Sequence, residues 1–268
     1  MSKQEDMKLS LMTCSVLDYL GFSKKQIMLR SNLVEGNFIS PTQALYSKAL
    51  LVGSSGEGVE LADSDYDCMF ILSDVICVDE GCDNDGELII LGTDYSKTAP
   101  GYTKVVSISM SDKCVCSLQF KQCCTYDILE KGKLISSEKL RDFYATIAAN
   151  CQTFGIYITQ NGPATTSSDF LSDCDFVQSV QFYGGNYLRK WKERVKNYEW
   201  PSLEISKEVS EMEGYVVPIG DKQSDMQAFE WRICYTTAEK KLVLSLSDTQ
   251  IKAYVLLKIM AKSRLKPK

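Results

Sequence analysis

Apolar side chains recur at helical spacing over residues 5 to 21, at Met7, Leu9, Leu11, Met12, Val16, Leu17 and Leu20, and Gly21 stops the run. The pattern predicts a long first helix. Residues 47 to 52 then lead into a small-residue turn, Gly53-Ser54-Ser55-Gly56-Glu57-Gly58, and alternation from Tyr66 to Leu72 predicts a strand. Short strands are predicted at Val75 to Val78 and Leu88 to Leu91, around an acidic loop from Gly81 to Gly86. Tyr102 to Met110 and Val115 to Phe120 read as a hairpin. Ser136 to Asn150 reads as a helix with Ser137 as its cap. Ile156 to Thr166 and Cys174 to Val180 return to strand character. Gly184 to Met212 is helix-rich with a break at Trp200-Pro201, and Tyr215 to Ile219 is extended. Two helices follow between Ala238 and Lys262, separated near Ser247-Asp248 with the aspartate as cap. Strands fill the middle and helices both ends, so the class is α+β.

Composition narrows the choices. The 268 residues are 44% hydrophobic, enough for one or two domains around a sizeable core. There is no histidine, which excludes every mechanism needing an imidazole base or a His-bound metal. The 11 cysteines are odd in number and scattered, which suits reduced, buried thiols and a cytoplasmic or nuclear setting. Neither a secretory leader nor an apolar run of membrane-spanning length is visible, so no membrane partner is expected. The formal charge is −5, so contact with a polyanion would need a local basic patch. Lys24-Lys25, the segment from Arg189 to Lys196 and the tail from Lys258 to Lys268 are the candidates.

Asp65 and Asp67 carry the sharpest chemistry. Residues two apart on a strand share a face, so the two carboxylates stand side by side. Their repulsion is relieved by hard divalent cations, Mg²⁺ above all where phosphates complete the shell. The preceding turn, with Gly53 and Ser54, lets backbone amides approach a phosphate, though it lacks the lysine of a P-loop. A third carboxylate is needed to position an attacking hydroxyl. Asp175 lies in a strand-like segment that could pair beside the first, while Asp169 and Asp173 are competing choices. Three carboxylates could hold two ions roughly 3.5–4 Å apart for in-line phosphoryl displacement. Neither Cys114, Cys116, Cys123 and Cys124 nor the acidic loop has convincing zinc or calcium spacing.

These segments resemble a family. Residues 52 to 67, from Val52-Gly53-Ser54 to Asp65-Tyr66-Asp67, are similar to the active-site signature of the Mab-21 group, which includes the cyclic GMP-AMP synthase-like receptors. Asn161 to Thr166 with Asp175-Phe176-Val177, Glu230 to Lys240, and Gln250 to Lys258 resemble later blocks in family order. The resemblance implies a nucleotidyltransferase fold, a mixed twisted sheet flanked by helices with a long N-terminal helix. It implies a core over residues 1–245 and the start of a helical lobe at 246–268, the lobe being largely missing. It also implies that Asp65, Asp67 and Asp175 bind two Mg²⁺ or Mn²⁺ ions and that Ser54, beside Gly53, holds the donor triphosphate. Arg232, Thr236, Glu239 and Lys258 would line the nucleotide pocket. The implied activity joins ATP and GTP into a cyclic dinucleotide as a nucleic-acid-activated immune sensor, with double-stranded RNA or DNA as activator. A catalytically silent Mab-21-type adaptor and an RNA-end nucleotidyltransferase are the rival readings. The oligomeric state stays open.

Overall fold

The computed structural model describes residues 2–37, 46–62, 64–79, 86–127, 132–150, 157–161, 164–168, 173–184 and 187–264. In chain order the elements are α1 (Lys3–Tyr19), α2 (Lys24–Asn37), β1 (Tyr46–Val52), α3 (Gly53–Glu57), β2 (Tyr66–Val78), β3 (Ile89–Asp94) and β4 (Tyr102–Ser109). Next come α4 (Ser117–Cys123), β5 (Cys124–Asp127), β6 (Gly132–Ile135), α5 (Ser137–Asn150), β7 (Tyr157–Asn161), β8 (Ala164–Ser168) and β9 (Asp173–Tyr183). The chain continues with α6 (Tyr187–Val195), α7 (Leu203–Ser210), β10 (Gly214–Val217), β11 (Glu230–Cys234), α8 (Thr236–Ser245) and α9 (Asp248–Arg264).

Two long strands, β2 and β9, run parallel and organise everything else. Along the first half of β2, β1 pairs antiparallel on the other edge, while the first half of β9 pairs with β8 and through it β7. Past this point both strands change their outer partners. The β2–β9 register shifts between Ile71 and Ile76, where Asp74 takes a left-handed φ of 59°. Beyond that bulge β2 pairs with β3 and β9 with β10, and the ladder β2-β3-β4-β11-β10-β9 returns to β2. A hairpin of β5 and β6 joins the ring through β4.

The ring corrects the expected fold class. The chain does not form a twisted sheet with helices on its faces in a nucleotidyltransferase fold; it closes a six-stranded mixed barrel and adds further strands to it. Alternation in each strand reports a buried face but carries no information on which strand lies alongside, and closure depends on β9 reaching back to β2. Smaller corrections have local causes. The segment from Val115 was expected as a strand, yet Ser117–Cys123 is helical. Phe120 and Cys123, three residues apart on that helix, are both buried in the barrel cluster. Ser136 rather than Ser137 caps α5, accepting the Lys139 amide at 3.1 Å. Ser247 rather than Asp248 caps α9, accepting the Gln250 amide at 3.3 Å while Gln250 returns the bond at 2.9 Å.

The barrel interior holds Leu72, Val75, Cys77, Ile89, Leu91, Val105, Val180, Phe182, Val216 and Trp231, closed by Phe120 and Leu140 from the helices. Trp231 is fully buried and donates its indole N–H to the Ile135 carbonyl at 3.1 Å, tying β11 to β6. The opposite face of the same strands carries Met69, Ile71, Val177, Tyr215 and Val217, and β1 adds Leu50 and Val52. A third cluster, Leu17, Ile27, Val59, Ile251 and Val255, lies among α1, α2 and α9.

Trp231 fills the barrel and satisfies its own polar atom, so its removal leaves a cavity and an unpaired carbonyl. Trp231→Ala is expected to cost about 3–5 kcal/mol, read as a lowered urea midpoint at unchanged slope.

Candidate metal centre

The parallel register sets Asp67 directly beside Asp175, and side chains two apart on β2 and β9 place both on the face of Met69 and Val177. Asp65, just ahead of β2, completes the group. Carboxylate oxygens of Asp65, Asp67 and Asp175 all lie within 4.8 Å of one another. Thr166 on β8 sits opposite Asp175 and donates its hydroxyl to Oδ1 at 2.5 Å, which orients the carboxylate. Asp173, two residues earlier and exposed, is not part of this cluster; Asp169 lies outside the described residues.

The small-residue turn is built around this cluster. At Gly53, φ is +61°, and a Cβ there would stand 2.3 Å from Asp67 Oδ2, so the backbone comes as close to the carboxylate as glycine permits. A Cβ at Gly56 would stand 2.2 Å from the Leu51 carbonyl, which keeps α3 against β1. Helix α2 braces the turn from behind. Ser31 donates to the Gly56 carbonyl at 2.8 Å, and Arg30 donates to the Gly58 carbonyl through Nε at 3.0 Å and a second nitrogen at 2.8 Å. Ser54 is half-buried within α3.

Electrostatics at the cluster are those of crowded carboxylates. Burial pushes Asp67 up from 3.8 to about 6, Asp65 and Asp175 push the same way, and Lys258 opposes them. Lys258 stands on α9. Glu57 Oε2 accepts from it at 3.3 Å and from the Tyr254 hydroxyl at 2.9 Å. Glu57 thus bridges α3 to α9 and holds the ammonium at the end of the small-residue turn.

Beside the cluster, α8 lies over β1 and α3 and encloses a cavity of about 80 Å³ lined by Leu50, Gly53, Glu57, Thr236, Thr237 and Glu239. The hydroxyls of Thr236 and Thr237 are buried without a hydrogen-bond partner among the described residues. Small-molecule sites usually span about 300–1,000 Å³, so this cavity admits part of a nucleotide and the rest would lie on the open side of the aspartates. Arg232 is placed differently. It is exposed on β11, beside Tyr102 and Val217, and it is absent from both the cavity lining and the charges acting on Asp67.

The structure therefore brings together Gly53, Asp65, Asp67 and Asp175, leaves Lys258 on Glu57 with its charge acting on Asp67, and sets Thr236 and Glu239 on the adjoining cavity. Sequence reasoning gave no role to Glu57, Tyr254, Thr166 or Thr237. Glu57 and Tyr254 stand inside segments singled out above, but their shared contact spans most of the chain, while Thr166 and Thr237 take their places from the strand beside Asp175 and from the cavity wall. Compared with known proteins, the chain matches no family model and no curated protein. Among the described residues no helix is long and apolar enough to cross a membrane.

Asp67 holds its proton more tightly in the folded chain than in the unfolded one. Between 3.8 and about 6 the native state therefore binds more protons, and stability falls as pH rises through that window. Solvent screening reduces the expected loss to about 1 kcal/mol. In metal-free buffer, Asp67→Asn is expected to flatten the pH dependence and to be the more stable protein at neutral pH, by urea unfolding on both sides of the window.

Proposed function

We propose that the chain binds divalent metal at Asp65, Asp67 and Asp175 and transfers nucleotidyl groups, joining ATP and GTP into a cyclic dinucleotide. The observation that carries this reading is the convergence of three carboxylates from two paired strands within 4.8 Å. The donor set is all oxygen and anionic, and Asp67 is pushed upward by burial and then by Asp65 and Asp175, a charge that Mg²⁺ or Mn²⁺ would relieve. The metal would supply Lewis acidity toward phosphate oxygens and neutralise charge on the entering and leaving groups. The reading rests on the site and on the resemblance of residues 52–67, 161–166, 175–177, 230–240 and 250–258 to the Mab-21 group, and fold-level analogy lends it nothing.

Asp65 and Asp67 provide ligand oxygens. Asp175, with Oδ1 engaged by Thr166, presents Oδ2 to the proton of an attacking ribose hydroxyl. Lys258, steadied by Glu57, offers its ammonium to a phosphate oxygen on the open side. Thr236 and Thr237 line the cavity, and their buried, unpartnered hydroxyls would gain hydrogen bonds by turning toward a polar group that enters it. Activation by double-stranded RNA or DNA would fall to α6, none of whose described residues is buried and which carries Arg189, Lys190, Lys192, Arg194 and Lys196 beside or within it.

The small cavity favours a second reading, in which the site binds metal and nucleotide without turnover. Labelled ATP and GTP with Mg²⁺ or Mn²⁺, with and without double-stranded RNA, separate the two. A cyclic product that falls on the order of 10³-fold in Asp67→Asn is the expected result. Metal-dependent nucleotide binding with no product under any condition would establish the second reading, and tailing of an RNA primer would replace both.

Metal binding has its own readout. Mg²⁺ at about 100 times its dissociation constant is expected to stabilise the wild-type fold by about 2.7 kcal/mol. Asp65→Asn and Asp175→Asn should lose most of that gain in thermal unfolding, and equal gains in all three proteins would sink the metal site.

A further inference from the structure

Helix α1 is ordered over 17 residues, yet of its described residues only Leu17 is buried. Leu17 anchors the end of the helix in the cluster with Ile27, Val59, Ile251 and Val255, and Lys252 pairs with Asp18 at 2.6 Å. Toward its N-terminus the helix offers apolar side chains to solvent. Fixing a residue costs about 1–2 kcal/mol of backbone entropy, and helices of this length are marginal without tertiary packing. One buried leucine and an exposed capping box at Ser2 and Glu5 do not offset that cost.

Met7 and Leu11, also exposed, lie on the far side of the helix, and four other exposed positions form a row. Leu9, Met12, Val16 and Leu20 follow spacings of three, four and four residues, which puts them along one stripe of the helix, and they are 54% to 57% exposed. Glu5 lies on the same stripe one turn earlier, and Lys24 and Lys25 follow its other end at the start of α2. On the neighbouring helix α9, Leu257 and Met260 are also exposed.

We propose that the stripe is covered by α1 of a second copy of this chain, in an antiparallel two-fold pair. Such a pair sets Leu9 against Leu20 and Met12 against Val16 of the second copy, so every position on the stripe meets another apolar one. It also brings Glu5 of each copy toward the lysines that follow α1 in the other, whereas a parallel pair would bring like charges together at both ends. The stripe and its flanking side chains, counted over both copies, amount to roughly 1,000 Å², the lower limit for a specific interface and a size that suits a micromolar dimer. The inference is independent of the metal centre.

Analytical ultracentrifugation of the full chain at about 50 µM, a concentration that populates micromolar dimers, is expected to report twice the 30.1 kDa chain mass. Met12→Glu/Val16→Glu should sediment as a monomer with unchanged far-ultraviolet circular dichroism, since both side chains are exposed. If that variant loses helix, Met12→Ser/Val16→Ser decides the matter, with the dimer weakened at least about tenfold. A monomeric wild type, or a dimer indifferent to these substitutions, overturns the proposal. So does a monomer that sediments with phosphatidylserine vesicles, which would give the stripe to a lipid surface.

Discussion

The parallel pairing of β2 with β9 is the constraint on which both fold and site depend. Its first half, from Tyr66 to Ile71 against Cys174 to Ser179, puts Asp67 beside Asp175. Its second half, from Ile76 to Val78 against Gln181 to Tyr183, closes the barrel. One ladder therefore does two jobs, and the bulge at Asp74 separates them. A slip of one residue would turn the aspartates toward the opposite face and expose the apolar residues that share their side of the sheet.

The rest of the site is an answer to the charge which that pairing concentrates. Three carboxylates at this separation repel, and the neighbourhood relieves them only in part. Glycine at position 53 lets the backbone approach Asp67, Thr166 donates to Asp175, and Lys258 leans in from α9. Glu57 takes up one positive charge to aim it, which links the small-residue turn to the last helix. The residual excess of negative charge is what makes a divalent cation the natural complement, and the barrel behind it supplies a rigid wall.

Burial at the barrel contrasts with exposure on the first helix. Trp231 and Phe182 are fully enclosed where strands meet, whereas α1 is held by its last turn and presents an apolar stripe outward. Apolar surface on an ordered helix is stable only against something, and a two-fold copy of the same stripe meets that requirement with complementary ends.

Periodicity alone determined much of the local structure. The first helix, the strand from Tyr66, the strand at Tyr102 and the pair of C-terminal helices follow from spacing, because burying one face imposes a period on each segment. The same local logic marked Asp65 and Asp67 as neighbours on one strand face and singled out Gly53. Helix α2, the strands β5, β6 and β11, and the helical turn at Ser117–Cys123 were missed, since short or mixed segments take their conformation from what they pack against. Tertiary structure alone decided that the strands close a barrel and that Asp175 rather than Asp173 joins the cluster. It alone brought Glu57 to Tyr254 and Lys258. Each of these outcomes is a contact between residues distant along the chain, and a one-dimensional pattern records only which face is buried, not what lies across from it.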